Sequence, residues 1–548
     1  MTLRRVLLIV LLATAGMSTL AVTASASNGD SSPTSQLRYI LSMLIWLLPL
    51  GVALVAVGIG EPARAQQVAT SLPLALAMAL GGYFLCGFAF QYGGVGLVTQ
   101  NPALSTFDAE WSPLDLALGP GWGFVGLHGF LLPASLMNEE ALALFVSELA
   151  LVTTATLIPL VTLGGRMPRL PSAFLALLVS CVGYPLVGNW LRGGGWLSRL
   201  GETLRLGHGV VDYGLSSPYV VGGGAALAGL IAFGRVRPRH TESPELPVAY
   251  LPLNVLIGAI LALIGWIVML LSQPLVSVPG NAGLLIIKAL AAVAASILAT
   301  FFYGWLVRGE PDPGLTGRGI LAALVAASAG LPFMPIWAVA LTGGLAGLTL
   351  APAMYTIEHI LGLDDRGAAV SVHGLAGIWG LIAVALFADG SQGAGWNALN
   401  SQDTNALLAQ GVTGYLAAPG SAQAVGQLYA QLIGVGAMLL IAALVPWLLL
   451  TLAARAYALP PTMRDRARAR AAQSRQEREA RELLKRQGGG LSVWRRARIA
   501  YVRIIASSAR RLTARARLRG SRHALAGRSL NPSRPATAIR TRRLRSSR

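Results

Sequence analysis

Apolar stretches of 17 or more residues recur along this chain, and nothing else in it limits the fold so strongly. About 20 apolar helical residues cross the hydrocarbon of a bilayer, where the backbone must satisfy its own hydrogen bonds. Eleven such spans can be drawn: 39–60, 72–97, 140–163, 171–190, 210–234, 251–271, 282–307, 318–334, 335–357, 369–388 and 427–453. Hydrophobic residues make up 54% and charged residues 12% of the chain, far from soluble usage. The expected fold class is an all-α polytopic membrane protein with eleven transmembrane helices. Spans 1–5 and 6–10 then run in opposite orientation, as two inverted five-helix repeats followed by a final helix.

Residues 1–26 read as a signal peptide. Arg4 and Arg5 precede an apolar core from Val6 to Ala15, and Ala24-Ser25-Ala26 suits cleavage. The alternative is an uncleaved first helix, against which the polar stretch 27–36 argues. The membrane domain then covers 39–455 and a basic tail 456–548. Arg64, Arg166, Arg169, Arg235, Arg237, Arg239, Arg308, Arg318 and Arg366 lie in or beside the loops after odd-numbered spans. The alternate loops 98–139, 272–281 and 389–426 contain no Lys or Arg. Positive charge stays cytoplasmic, so the N-terminus is expected outside and the C-terminus in the cytoplasm of the cell (inner) membrane. Arg38 and the 191–209 loop with Arg192, Arg199 and Arg205 are exceptions.

The net charge of +20 belongs to the tail. From Arg455 onward there are 27 of the 43 Lys and Arg but 4 of the 23 acids, leaving the rest of the chain slightly acidic. Arg464–Arg486 is a charged, helix-prone run, and after Gly488-Gly489-Gly490 a basic stretch carries Trp494, Ile499, Val502, Ile505 and Leu512. This amphipathic pattern suits the anionic inner leaflet, and the last 20 residues have a disordered composition. Tethering at the membrane argues against a nucleic-acid partner. Cys86 and Cys181 both fall inside apolar spans, so neither a disulfide framework nor a metal site is expected, and no cofactor. Gly193-Gly194-Gly195 lacks the Lys and Ser/Thr of a phosphate loop, and no zinc-hydrolase or serine-triad motif suggests an enzyme.

Four ionisable residues fall within the spans: Glu148, Asp212, Lys288 and His373. A charge at mid-depth costs roughly 2.5–3.5 kcal/mol on insertion scales, so such groups pair or face a wet cavity. Glu148 or Asp212 is the expected counter-charge for Lys288, and an ion pair without a transport role is one reading. His373 lies on a helix where Gly374, Gly377 and Gly380 recur at three-residue spacing, a face that another helix can approach closely. It is either a functional group or a neutral imidazole bonded to that neighbour. Asp364 and Asp365 precede it by about two turns.

Leu363-Asp364-Asp365 with Val372-His373-Gly374-Leu375-Ala376-Gly377-Ile378-Trp379-Gly380 and Leu386-Phe387-Ala388 is similar to the tenth-helix signature of the ammonium transporter (Amt/Rh) family. Asn189-Trp190-Leu191-Arg192-Gly193-Gly194-Gly195-Trp196-Leu197 resembles its aromatic run into a glycine turn. Val211-Asp212-Tyr213-Gly214 with Ala225-Ala226-Leu227-Ala228-Gly229 resembles its fifth helix. Ala323–Gly330 with Gly343-Gly344-Leu345-Ala346-Gly347 resembles its eighth and ninth. The resemblance implies a homotrimer with a narrow apolar pore for ammonium or ammonia through each subunit. It makes His373 the second of two pore histidines, Asp212 the buried outer Asp, and Asp364 and Asp365 the cytoplasmic pair. A trimeric PII-type regulator is the partner it implies, although this tail is longer and more basic than that contact needs.

The chain also departs from the pattern. The first histidine falls on Val220, or on Gly222 when counted back from Ala225; neither carries an imidazole. Beside Trp190, the vestibule tryptophan is replaced by Arg192, which would repel a cation. Phe145 is the one phenyl at the gate, with Leu149 or Leu151 nearby. Lys288, if it pointed into the pore, would be a tethered mimic of ammonium. The expected substrate pathway is therefore His373, Asp212, Phe145, Trp190, Arg192, Gly222 and Lys288. Two rival readings stay open: a non-conducting ammonium sensor or scaffold acting through the tail, and a pore with a changed substrate.

Overall fold

A computed structural model describes residues 33–457, apart from 60–61, 100, 114, 116–121, 137, 165–166, 234–250, 273–280, 366 and 398–408. The expected signal peptide and the tail beyond Tyr457 lie outside the described residues, as does Arg366. The fold is all-helical apart from a short antiparallel pair, Glu110–Trp111 with Val125–Gly126. Among the described residues nine helices are long and apolar enough to cross a membrane. They are α1 (Tyr39–Ile59), α2 (Leu72–Leu97), α3 (Glu139–Leu163), α4 (Arg169–Arg192), α6 (Pro252–Leu271), α7 (Ala282–Arg308), α9 (Ile336–Ile360), α10 (Ala369–Phe387) and α11 (Ala422–Arg455). Two shorter helices complete the set: α5 (Ser217–Phe233) and α8 (Pro313–Ser328).

Sequence boundaries need correction at these two and at α11, which starts at Ala422 where 427 was expected. The span expected at 210–234 becomes helical only at Ser217, because Asp212 ends the preceding stretch as a cap: both its carboxylate oxygens accept from the Ser216 amide, at 2.8 and 2.9 Å. The span expected at 318–334 starts five residues early and ends at Ser328. Asp312 accepts from Gly314 and Leu315 at 2.8 and 3.3 Å, and Pro313 opens the helix. Arg318, read as a charge at a span edge, consequently sits inside α8 and is buried.

Helix α5 occupies the centre, and its glycines explain how. Ideal side-chain carbons built on Gly222, Gly223 and Gly224 would meet three different helices: Ala155 and Ile158 of α3, Gly374 and Ala369 of α10, and Ala442 of α11. Within one turn the bare backbone therefore accepts three neighbours. At Gly223 the added carbon would lie 2.5 Å from the Gly374 amide nitrogen, so α5 and α10 meet backbone to backbone. Gly51 and Gly258 do the same for α1 and α6. Packing elsewhere is paired: α2 lies on α3 and α4 as α7 lies on α8 and α9, and α3 meets α5 as α8 meets α10.

Candidate functional site

Helix α10 opens irregularly. Ala368 adopts a left-handed conformation at φ 52°, and residues Ala369–Leu375 form a π-helical turn. Such turns re-aim side chains at functional sites. Asp365 holds this start in place, accepting from the amides of Ala369, Val370 and Ser371 at 2.9, 3.0 and 3.4 Å. Those are the donors that a helix leaves unpaired at its first turn. Burial pushes the Asp365 carboxyl up to about 7, even though these amides hold it down. The sequence placed Asp364 and Asp365 together; only Asp365 makes these capping bonds.

The π turn carries His373, which is 4% exposed. Its ring lies almost parallel to that of Tyr219 from α5, with centroids 5.8 Å apart and 9° between planes. At that separation the rings are offset. His373 also borders a narrow cavity whose walls are mostly apolar, with Val52, Val55, Ile158 and Leu321 among them. Thr162 and Arg318 add polar groups to that lining. Arg318 lies within electrostatic reach of Glu358, Asp312 and Asp365.

Of the other expected pathway residues, Asp212 and Arg192 come together at the start of α5, while Trp190 and Phe145 sit in separate aromatic clusters. Asp212 is buried at the α5 cap. Arg192, closing α4, donates from Nη2 to the carbonyl of Tyr213, and its charge acts on the Asp212 carboxylate. Trp190 is buried in an aromatic cluster, tilted against Phe124 at 5.1 Å and edge-on to Trp196 at 5.7 Å. Its indole donates to the Phe124 carbonyl at 2.9 Å. Phe145 stacks on Tyr83 and meets Phe88 edge-on, both at 5.5 Å. Gly222 is pressed by Ala155 and Ile158, so an imidazole at 222 has no room.

Two further intramembrane groups have partners that charge matching did not foresee. The Nζ of Lys288 donates to the Pro332 carbonyl at 3.1 Å, in the turn between α8 and α9. It is tied to the α7–α9 side of the protein, while Glu148 has its own set of donors. Tyr92 and Gln91 bond Glu148 at 2.7 and 3.1 Å, and Tyr184 donates to it as well. Neither expected counter-charge, Glu148 or Asp212, is seen bonded to Lys288: its ammonium goes to a backbone carbonyl with the Asp389 charge acting on it, while Glu148 is held by uncharged donors. Lys288→Met is expected to lower stability by about 1 kcal/mol through the lost bond. Thermal unfolding of the purified variant measures this.

A sequence model described as Ammonium Transporter Family matches residues 37–466. This chain belongs to the ammonium transporter family. It is 28% identical over 360 residues to Ammonium transporter Amt2 of Archaeoglobus fulgidus, covering 65% of this chain and 71% of the relative. The Ammonium transporter of Bacillus subtilis is 25% identical over 354 residues, with 64% and 79% covered. Among solved structures, one titled Sensor Amt Protein superposes with a TM-score of 0.61 at 20% identity, covering 78% of this chain and 94% of that one. Saccharomyces cerevisiae Mep2 gives 0.60 at 19% identity, with 78% and 85% covered. These structural likenesses carry the fold. The family's relatives are named as transporters, which fits a polytopic helical protein without an enzyme signature.

Sequence reasoning singles out His373 and Asp212 and does not single out Tyr219, whose ring the structure places against His373. The residue lies one place before Val220, where the resemblance pointed, and a ring at that position was visible in the sequence.

Proposed function

We propose that this protein is a membrane channel for ammonium, passing it as ammonia through a narrow apolar passage in each subunit. The observation that carries this is His373: a buried imidazole on the backbone-contacting helix α10, bordering a mostly apolar cavity. Bare ammonium resists entry into such a space, because an isolated charge in a low-dielectric medium loses its hydration without replacement. A neutral molecule that keeps one or two hydrogen bonds pays far less. Asp212, capped and buried beside Arg192, then marks the outer end, and the Asp365-capped start of α10 the cytoplasmic end.

On this reading α1–α11 all span the bilayer, α5 and α8 included, with the N-terminus outside and the C-terminus in the cytoplasm of the inner membrane. The doubled packing pattern and the Gly51–Gly258 crossing support two inverted five-helix repeats, α1–α5 and α6–α10. A signal peptide at 1–26, a homotrimer, a tail seated on anionic lipid and a PII-type regulator complete the proposal. The sensor and changed-substrate readings gain no observation of their own among the described residues. The deciding experiment is flux of ammonium, methylammonium and small anions in proteoliposomes. Ammonium and methylammonium uptake above empty vesicles is expected; anion flux alone, or none, overturns the proposal.

A further inference from the structure

Among the described residues that line the narrow cavity beside His373, Arg318 alone carries a permanent charge. It is 2% exposed, and a guanidinium keeps its proton even when buried. Helix α8 holds it firmly. Ideal side-chain carbons on the flanking Gly317 and Gly319 would meet Val255 of α6 at 2.3 Å and Thr300 of α7 at 2.6 Å, so α8 cannot readily turn about its axis. Glu358, Asp312 and Asp365 supply counter-charge to the guanidinium. Asp312 is shared with Arg308, which donates to it at 2.7 Å. None of these three acids lines the cavity. The charged group on the cavity wall is therefore positive, and the acids that balance it do not border the space.

We propose that Arg318 is the charge filter of the passage: a fixed positive group that turns back ammonium and alkali cations and leaves the neutral amine free to cross. This goes beyond the transport reading and rests on it. Gly367, Ala369 and Val372 line the same cavity, which puts the filter between His373 and the Asp365-capped start of α10. Ammonium and ammonia differ little in size, so charge is the property by which a narrow space can tell them apart. Like charges repel far more strongly between apolar walls than in water, because little solvent screens them. An arginine at a constriction excludes cations from a pore on this ground. A neutral amine meets no such barrier, and its lone pair can accept a hydrogen bond from a guanidinium N–H.

The test compares wild type, Arg318→Gln and Arg318→Lys as full chains in proteoliposomes, reading methylammonium uptake, potassium flux and chloride flux on each. Arg318→Gln is expected to raise potassium flux about tenfold relative to methylammonium uptake, with chloride flux level or lower. Arg318→Lys keeps the charge and is expected to bring potassium flux back towards wild type. A purely structural role predicts a different pattern: a loosened fold leaks potassium and chloride alike, and Lys, without the guanidinium fork, does not repair it. Arg318→Gln also leaves the acids short of counter-charge, so Arg318→Gln combined with Glu358→Gln is measured beside it and decides the matter if the single variant does not fold. Potassium flux unchanged in the neutral variants, or chloride rising with it, overturns the filter. If wild type takes up no methylammonium, the transport reading falls and the ion fluxes decide alone. A potassium rise confined to the Gln variants then sustains the filter; none in any of the proteins overturns it.

Discussion

Glu148→Ala is expected to produce a large loss of stability at the junction of α2, α3 and α4. The carboxylate is 2% exposed and collects donors from two other helices: Gln91 and Tyr92 of α2, and Tyr184 of α4. A second tier stands behind it, with the Tyr83 hydroxyl donating to Gln91 Oε1 at 2.9 Å. Truncation to Ala removes the one acceptor common to three buried donors. Each stranded donor costs about 1–3 kcal/mol, and partial relaxation leaves a total of roughly 3 kcal/mol or more. The cluster also lies one turn from Phe145, whose ring stacks on Tyr83. Loss of the carboxylate therefore loosens both the α2–α3–α4 junction and that aromatic contact. Glu148→Gln keeps one acceptor oxygen but brings an amide that must itself be satisfied, so its loss should be intermediate. Tyr92→Phe, which removes a single donor and leaves the others bonded, should cost least. Thermal unfolding of the detergent-solubilised variants orders the series, and an Ala variant that melts with wild type would remove the network's structural role.

The network also shows what could be read from sequence. Glu148 stood out as an ion in an apolar span, and the search for its partner looked among charges. Tyrosine hydroxyls and a glutamine amide satisfy a buried carboxylate as well as a lysine can, yet they leave no charge pattern to match. Lys288 repeats the lesson in part, since its hydrogen bond goes to a backbone carbonyl and the carboxylate acting on it is Asp389, neither of the two expected acids. Helix positions were largely legible, because caps such as Asn138 and Asn281 and the start at Pro252 punctuate the apolar runs. The entry to α5 was not, because Val210, Val211 and Leu215 are as apolar and buried as a helix would make them. Hydropathy reports burial there, and the Asp212 cap decides the backbone. Tyr219 escaped for a geometric reason. One residue along a helix turns a side chain by about 100°, so spacing alone cannot name the ring that meets His373. The π turn at Ala369–Leu375, invisible in composition, shifts the aim of that histidine as well.

His373→Ala is expected to have the largest effect on transport. An ammonia molecule leaving water for an apolar cavity loses its hydrogen bonds, and a polar group left without one costs about 1–3 kcal/mol by mutational measures. His373 both faces Tyr219 and borders the cavity, which is where the proposed passage would need a polar group. Withdrawing it adds that amount to the barrier, and each 1.4 kcal/mol slows passage tenfold. Flux should therefore fall roughly ten- to a hundredfold. The opposing effect is steric: Ala opens space beside Tyr219, and water entering that space would offer hydrogen bonds of its own. A water-filled gap would also admit hydrated ions, so a leaky variant should pass more potassium than wild type. Measuring methylammonium flux and potassium flux on the same vesicles separates these outcomes. Methylammonium and potassium flux both unchanged in His373→Ala would mean that the imidazole is packing and that the passage lies elsewhere.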